Sequence, residues 1–457
     1  MSLKSRLQKK LKTKPYKFQL EGMRFLKQAH GRALIGDDMG LGKTIQALGW
    51  LAVNPSKRPA IIITPANAKY NWAEQIQEHT RMPCQVCYGR KPFPLTEPII
   101  IINYDIVTYW KNKLIKLKPQ VVVMDECHYV KNRTAKRTKA CREISRKAKH
   151  VIPMSGTPII NRPIEFFPVL NMIDPVEFSS YWKYAMRYCN PKRGWGGRGW
   201  DFSGASNLDE LKERIQPYFI RRMKKEVLKQ LPDKIRTILP VDISNSEEYR
   251  KATIHFLQWY REKAGNKKAQ KAKKAQALVK LGQLKQLVAR GKIKNACEWI
   301  DDFLTDSNGK LVVFVYHREV FNALVKKYKH IAAIGGKAGK ERQQQVKAFQ
   351  TNPKKRLFIG TIKADKESIT LTASSTVLFL ELGWTPSEHD QAEDRVNRIG
   401  QTDNKVNVYY ILGKNTVDQY VWEVIEEKRK VIDQVINGKE IRNEFDINNA
   451  VRFLERE

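Results

Sequence analysis

Acidic residues, cysteines and long apolar runs are scarce in this chain. Its 457 residues carry 47 Asp and Glu against 84 Lys and Arg, a formal charge of +37. An excess of that size favours an extended polyanion, nucleic acid, over a small acidic substrate. A membrane surface is the competing polyanion. However, no apolar stretch approaches the ~18 residues that span a bilayer, and the basic N-terminus MSLKSRLQKKLKTK is followed by no apolar segment. We therefore expect no membrane association, no secretion, and a cytoplasmic or nucleoid-associated location, nuclear in a eukaryote. Six cysteines are too few to staple a chain of this length, which fits a reducing compartment. Cys84 and Cys87 form a C-x-x-C with no second pair at ribbon spacing, so they read as ordinary thiols rather than zinc ligands. No base-reading element is evident either. The length implies two or three domains.

The stretch GDDMGLGKT, Gly36 to Thr44, stands between the apolar run Ala33-Leu34-Ile35 and a helix-like stretch. A strand, a glycine-rich turn and a helix start form a phosphate-binding arrangement. Backbone N–H groups and the helix N-terminus surround phosphate oxygens, Lys43 reaches the terminal phosphates, and the Thr44 hydroxyl holds Mg²⁺. Asp37 stands where the strict pattern has glycine. Upstream, PYKFQLEGMRFLKQA has helical spacing and opens near Gln19; downstream, strand-like runs at Ala60–Thr64, Pro98–Asn103 and Val121–Met124 alternate with helix-like ones, the rhythm of a parallel sheet. The run Val121–Met124 delivers Asp125 and Glu126 at its C-terminal end, where ligands bind in open α/β sheets. Asp125 would hold Mg²⁺ with Thr44, and Glu126 would polarise water for attack on a γ-phosphate.

From Asn161 to about Pro232 the rhythm fails, which we read as an insertion on the first domain; Val241 to Ile300 looks like a helical linker. A second α/β series follows, with strands at Leu311–Tyr316, Arg356–Ile362, Thr376–Leu382 and Val406–Leu412. In QAEDRVNRIGQ, residues 391–401, a helix would place Gln391, Arg395 and Arg398 on one face, aiming two guanidinium groups at one target. The alternative is a surface helix whose Glu393 and Asp394 pair locally. The expected divisions are 1–160, an insertion at 161–235, a linker at 236–300, a second lobe at 301–438 and an unassigned tail at 439–457.

In combination these motifs resemble the Swi/Snf-type branch of superfamily-two helicase-like ATPases, across about Tyr16 to Gly438. The resemblance implies an α/β fold of two RecA-like parallel-sheet lobes with ATP and Mg²⁺ as cofactors. It assigns Gln19 to adenine, and Asp37, Met39, Gly40, Leu41, Gly42, Lys43, Thr44 and Gln391 to the nucleotide. It assigns Thr44 and Asp125 to the metal, and His128, Ser155, Gly156 and Thr157 to coupling. Arg398 becomes the finger candidate, with Arg395 beside it. Thr64, Asn67, Trp72, Asn103 and Tyr104 in the first lobe, and His317, Lys363 and Trp384 in the second, are the implied DNA contacts. Departures are Asp38 where the family often has Glu, Cys127 in place of alanine in a DEAH box, and Asp365, Lys366 and Ser368 where glycines are usual.

A narrower likeness, in RYCNPKRGWGGRGWDFSGASNLDELKERI and IRRMKKEVLKQLPDKIR, is to annealing helicases that remodel forks. There Arg193, Trp195, Arg198 and Trp200 sit among glycines in a loop composed to stack on bases or bind backbone, or to remain plain solvent loop. The expected activity is a DNA-dependent ATPase translocating as a monomer on double-stranded or forked DNA, with single-stranded DNA as a further ligand. The alternatives are a strand-separating DNA or RNA helicase, a DNA-binding scaffold with a decayed ATP site, and a remodeller of bound protein.

Overall fold

A computed structural model describes residues 3–66, 68–156, 163–193, 199–202, 204–228, 231–262, 270–329, 331–334, 339–362, 369–435 and 447–455. The chain forms two compact units, Met1–Lys229 and Gln230–Glu457.

In the first unit five parallel strands lie in the order Gln85–Val86, Ile99–Asn103, Ala60–Thr64, Val121–Met124, His150–Pro153. The parallel pair Leu34–Ile35 and Phe219–Ile220 joins this sheet through single bridges from Arg32 to Val151 and from Ile35 to Met154. Alternate side chains of a strand face opposite ways. Ile61 and Ile63 therefore pack with Trp110, Leu114 and Ile144, while Ala60 and Ile62 pack with Leu48, Leu51 and Ile76. Burial on both faces is why these strands read as unbroken β-branched runs.

The segment read as an insertion is built into this unit. Its helices Pro163–Ile173, Tyr181–Tyr188 and Leu208–Ile215 place Phe166, Leu170, Tyr184 and Leu211 in the same core, and its end returns as the strand Phe219–Ile220.

The second unit has six parallel strands in the order Asp233–Val241, Lys405–Gly413, Thr376–Phe379, Leu311–Val315, Leu357–Thr361, Ala332–Ala333. The linker reading of 236–300 is corrected here. Asp233–Val241 pairs with Lys405–Gly413 along its whole length, and the helices Ser246–Glu262 and Gln270–Gly291 set Phe256, Leu281, Leu284 and Val288 into the second core. Asp233–Val241 is a mostly exposed edge strand, so it lacks the apolar run that marks its neighbours. The tail also holds a helix, Ile447–Leu454, which buries Ala450, Val451 and Leu454; Gly438, the expected helix stop, lies outside the described residues.

Between these layers Lys292 and Asp418 form an ion pair only 1 % and 3 % exposed, and Lys292 Nζ also donates to Ile411 O at 2.8 Å. Removing one partner strands a buried charge. Asp418→Ala should cost about 3–5 kcal/mol of second-unit stability in urea unfolding, whereas Lys414→Ala, which breaks the exposed pair with Asp242, should cost less than about 1 kcal/mol.

Candidate active site

The strand Leu34–Ile35 runs into Gly36, and the helix Lys43–Val53 starts directly after Gly42, whose φ of +72° is left-handed. A Cβ at Gly42 would lie 2.4 Å from Gln19 Nε2, so both the backbone and the packing demand glycine. Gln19 is buried; its amide donates to Leu41 O at 3.1 Å and its side-chain oxygen accepts from Tyr16 N at 3.0 Å. Lys43 Nζ donates to the carbonyls of Asp37 and Asp38 at 2.9 and 3.3 Å, which holds the ammonium over the loop. Met39, Gly40 and Thr44 are half-buried along the same turn, whereas Leu41 is fully in the core.

The Asp37 side chain turns inward, so its carboxylate is not free to meet a nucleotide. Its carboxylate is fully buried, accepts from Arg222 Nε at 3.0 Å, Arg222 N at 3.1 Å and Gln46 Nε2 at 2.8 Å, and forms an ion pair with the same guanidinium. Arg222 Nη2 also donates to Gln46 Oε1 at 3.0 Å, closing a ring beneath the loop. Asp38 accepts from Lys224 N at 3.0 Å and lies 3.6 Å from Arg221. The segment IRRMKKE thus fastens the first half of the phosphate loop. Sequence reasoning quoted that segment without giving it a role, although a buried acid replacing glycine needs a cation nearby.

Asp125 follows the buried strand Val121–Met124 and is 8 % exposed. Its Oδ2 accepts from Trp72 Nε1 at 2.8 Å and Thr64 Oγ1 at 3.1 Å, its Oδ1 from Glu126 N at 3.1 Å, and Tyr104 Oη donates to its main-chain carbonyl at 2.7 Å. Lys69 Nζ lies 3.3 Å from Asn103 Oδ1 in the next layer. Thr64, Trp72, Asn103 and Tyr104 are therefore enclosed supports of the acidic end of the sheet. Their assignment as DNA contacts is corrected, since side chains this buried offer no surface to a polyanion. Asn67, Thr157 and Lys363 lie outside the described residues.

Glu126 has a φ of +48°, a left-handed non-glycine residue of the kind that collects at functional sites. The turn sets its Oε2 3.2 Å from His128 Nδ1 and 3.5 Å from Ser155 Oγ. Gly156 follows closely: a Cβ there would meet Met39 Cγ at 2.4 Å and Lys43 Nζ at 3.1 Å. Phosphate loop, acidic pair and Ser155-Gly156 thus converge on one site. Burial and then the neighbouring Glu126 charge push the Asp125 carboxyl up to about 6, partly opposed by Trp72, Lys43 and Thr64. Burial pushes Glu126 up as well, but the hydrogen bond and charge of His128, with Lys43 and Ser155, bring it below its usual range. Among the described residues no three or more His, Cys, Asp or Glu group as metal ligands. A hydroxyl and one carboxylate with a lone-pair position to spare suit a hard cation that completes its shell with water and phosphate, as Mg²⁺ does.

In the second unit Glu381, 3 % exposed, accepts from Tyr316 N at 2.7 Å and His317 N at 2.9 Å, and lies 2.5 Å from His317 Nδ1. Lys285 Nζ sits 4.0 Å from the Trp384 ring centre and 4.8 Å from that of Tyr316, donates to Leu382 O at 2.8 Å, and has its pKa pushed down to about 8 by burial. His317 and Trp384 are thus gathered at the C-terminal edge of this sheet, half-exposed.

The single-face helix expected for the arginine motif is corrected. The helix Pro386–Glu393 stops before either arginine; Gln391 is half-buried on it, Arg395 is 4 % exposed in the following turn, and Arg398 is half-buried beyond. Glu393 does not pair locally either. It lies 2.8 Å from Lys234, 2.7 Å from Arg236 and 3.5 Å from Arg429, and accepts from Tyr410 Oη at 2.7 Å. That buried carboxylate belongs to the last residue of the helix, and the arginines follow it in a turn.

Residues 18–293 match the SNF2-related domain, more than half of the chain, and residues 291–400 match the helicase conserved C-terminal domain. The chain belongs to the SNF2-related family of helicase-like ATPases. Within that family it is 32 % identical over 450 residues to a Bos taurus protein named DNA annealing helicase and endonuclease ZRANB3, covering 94 % of this chain and 41 % of that protein. It is 33 % identical over 441 residues to the Xenopus tropicalis SWI/SNF-related matrix-associated actin-dependent regulator of chromatin subfamily A-like protein 1, covering 94 % and 46 %. The chain spans less than half the length of these curated relatives. The solved Sulfolobus solfataricus SWI2/SNF2 ATPase core in complex with dsDNA aligns over 97 % of each chain at 24 % identity and a TM-score of 0.46, too low an overlap to add to the family match.

Two outcomes follow for this SNF2-related chain. Arg222→Met should lower first-unit stability by about 3–5 kcal/mol in urea, and adding Asp37→Asn to it should cost less than the sum of the two single changes. The second concerns pH. Because the folded Asp125 carboxyl lies at about 6, above its ordinary 3.8, it holds its proton more tightly than the unfolded chain. Stability from this group is fully present below about pH 4 and lost as pH rises through about 6. A cation binds only the ionised form, so the half-saturating Mg²⁺ concentration should rise about tenfold per unit below pH 6.

Proposed function

We propose that this chain is a DNA-dependent ATPase that moves along duplex DNA and uses that movement to anneal strands or remodel forks. The observation that supports this reading is the closeness of the Lys43 ammonium to the Asp125 and Glu126 carboxylates in the first unit, with Thr44 next to Lys43 at the helix start, on a chain of formal charge +37. Lys43, which donates to the loop carbonyls of Asp37 and Asp38, would turn to the terminal phosphates, and Thr44 and Asp125 would hold the cation. Bound Mg²⁺ supplies charge stabilisation at the transferring phosphoryl group. Glu126 orients the attacking water and accepts its proton, with His128 and Ser155 fixing the carboxylate. Arg398 is proposed as the finger arginine of the hydrolysis step, with Arg395 as its support within the second unit.

His317 and Trp384 are proposed to meet the sugar-phosphate backbone. Contacts of that kind position without reading sequence and weaken steeply with salt. The annealing step rests on the name of the bovine relative, DNA annealing helicase and endonuclease ZRANB3, and the fork step on the sequence likeness carried by RYCNPKRGWGGRGWDFSGASNLDELKERI. Among the described residues no helix is long and apolar enough to cross a membrane.

ATP turnover measured with duplex, forked and single-stranded DNA and with RNA, at two salt concentrations, tests the reading. Duplex or forked DNA should stimulate most, and stronger stimulation by RNA would replace the reading with an RNA-directed one. Glu126→Gln should lower stimulated turnover by about 10²-fold or more, and Arg398→Ala by about 10³-fold or more. Unchanged turnover in Lys43→Ala and Glu126→Gln would mean a scaffold with a decayed site.

A further inference from the structure

The first unit also carries an exposed cluster of aromatic rings that the ATP site does not use. Trp182 on the helix Tyr181–Tyr188 is 50 % exposed, and Trp200 on the two-stranded hairpin of Lys192–Arg193 with Trp200–Asp201 is 38 % exposed. Their ring centres lie 6.1 Å apart, and Phe202 sits 5.6 Å from Trp182 and 6.4 Å from Trp200. Large indoles left in water are unfavourable, and such patches mark interaction surfaces.

The charged groups that lie over these rings are arginines, although the acid Asp201 stands next to Trp200. The Arg193 guanidinium stacks over Trp200 at 5.1 Å and that of Arg133 over Tyr181 at 3.8 Å, and among the described residues neither makes an ion pair. Tyr181 lies 6.2 Å from Phe202, so Arg133 joins the rings to the stretch Lys131–Lys139, KNRTAKRTK, which holds five bases and no acid.

We propose that this surface is a binding site for unpaired nucleic-acid bases, with Trp182 and Trp200, whose rings stand at 87° to each other, as two separate stacking faces and the Arg133 segment and Arg193 as the phosphate contacts. The ligand needs flat apolar faces together with regular negative charge. Single-stranded DNA presents both, whereas in a duplex the base faces cover one another. The proposal rests on the DNA-motor reading and adds a second site to it, which would hold a displaced or incoming strand.

Anisotropy of a labelled oligothymidylate, alongside ATP turnover stimulated by blunt duplex, tests it. Both tryptophans are exposed, so Trp182→Ala/Trp200→Ala should fold normally. It should lose about tenfold or more in oligothymidylate affinity and keep duplex-stimulated turnover, while Trp182→Phe/Trp200→Phe should recover most of the affinity. Unchanged affinity in the double alanine variant would overturn the proposal and leave the rings to a protein partner. Equal losses of oligothymidylate binding and duplex stimulation would overturn it too, because the surface would not then be a separate site. Absent duplex stimulation in the unaltered protein would remove the motor reading instead, and the affinity comparison would still decide this one.

Discussion

A carboxylate buried at the C-terminal end of a packed parallel sheet is the constraint on which the first unit depends. Burial makes Asp125 rigid but, together with the neighbouring Glu126 charge, opposes its ionisation. The fold answers with fixed donors. Trp72 comes from the helix Lys69–His79, Thr64 from the neighbouring strand, and Glu126 N from the left-handed turn. Each donor also belongs to the packing, so the strand order that places Val121–Met124 beside Ala60–Thr64 is the arrangement that keeps Asp125 in place.

The same device recurs. Asp37, Glu381 and Glu393 are buried acids, each sitting in or beside a motif and each met by donors from a segment distant in sequence. Asp37 ties the phosphate loop to Arg222, Glu381 ties His317 to the end of the neighbouring strand, and Glu393 ties the arginine turn to Lys234 and Arg236. Buried charges with satisfied partners add little net stability compared with apolar packing, but they penalise any other placement of the loops they hold. In the stretch 219–241, basic residues near one end grip the phosphate loop and those near the other grip the arginine motif, each within its own unit.

Much of this was legible in the residues. The parallel strands announced themselves because burial on both faces requires continuous β-branched runs, and Ile99–Asn103 and Leu311–Val315 admit little else. The phosphate loop and the acidic pair were legible because their chemistry needs particular residue types at short spacing. The edge strand Asp233–Val241 was not, since half-solvated edges carry no apolar signature, and neither was the integration of 163–228 into the first core, since its aromatics cluster across separate short elements rather than along one periodic element.

Local features were therefore determined by the sequence itself: which glycine-rich turn joins a strand to a helix, which acids follow which strand, and the excess positive charge, all legible from neighbours a few residues apart. Tertiary structure alone decided which polar groups face inward. Thr64, Trp72, Asn103 and Tyr104 look as suitable for a polyanion as for the interior, and Asp37 looks as suitable for a nucleotide as for an arginine 185 positions away. Burial and pairing are properties of contacts between segments far apart in the chain, and no local pattern encodes which distant group will arrive to satisfy a buried charge.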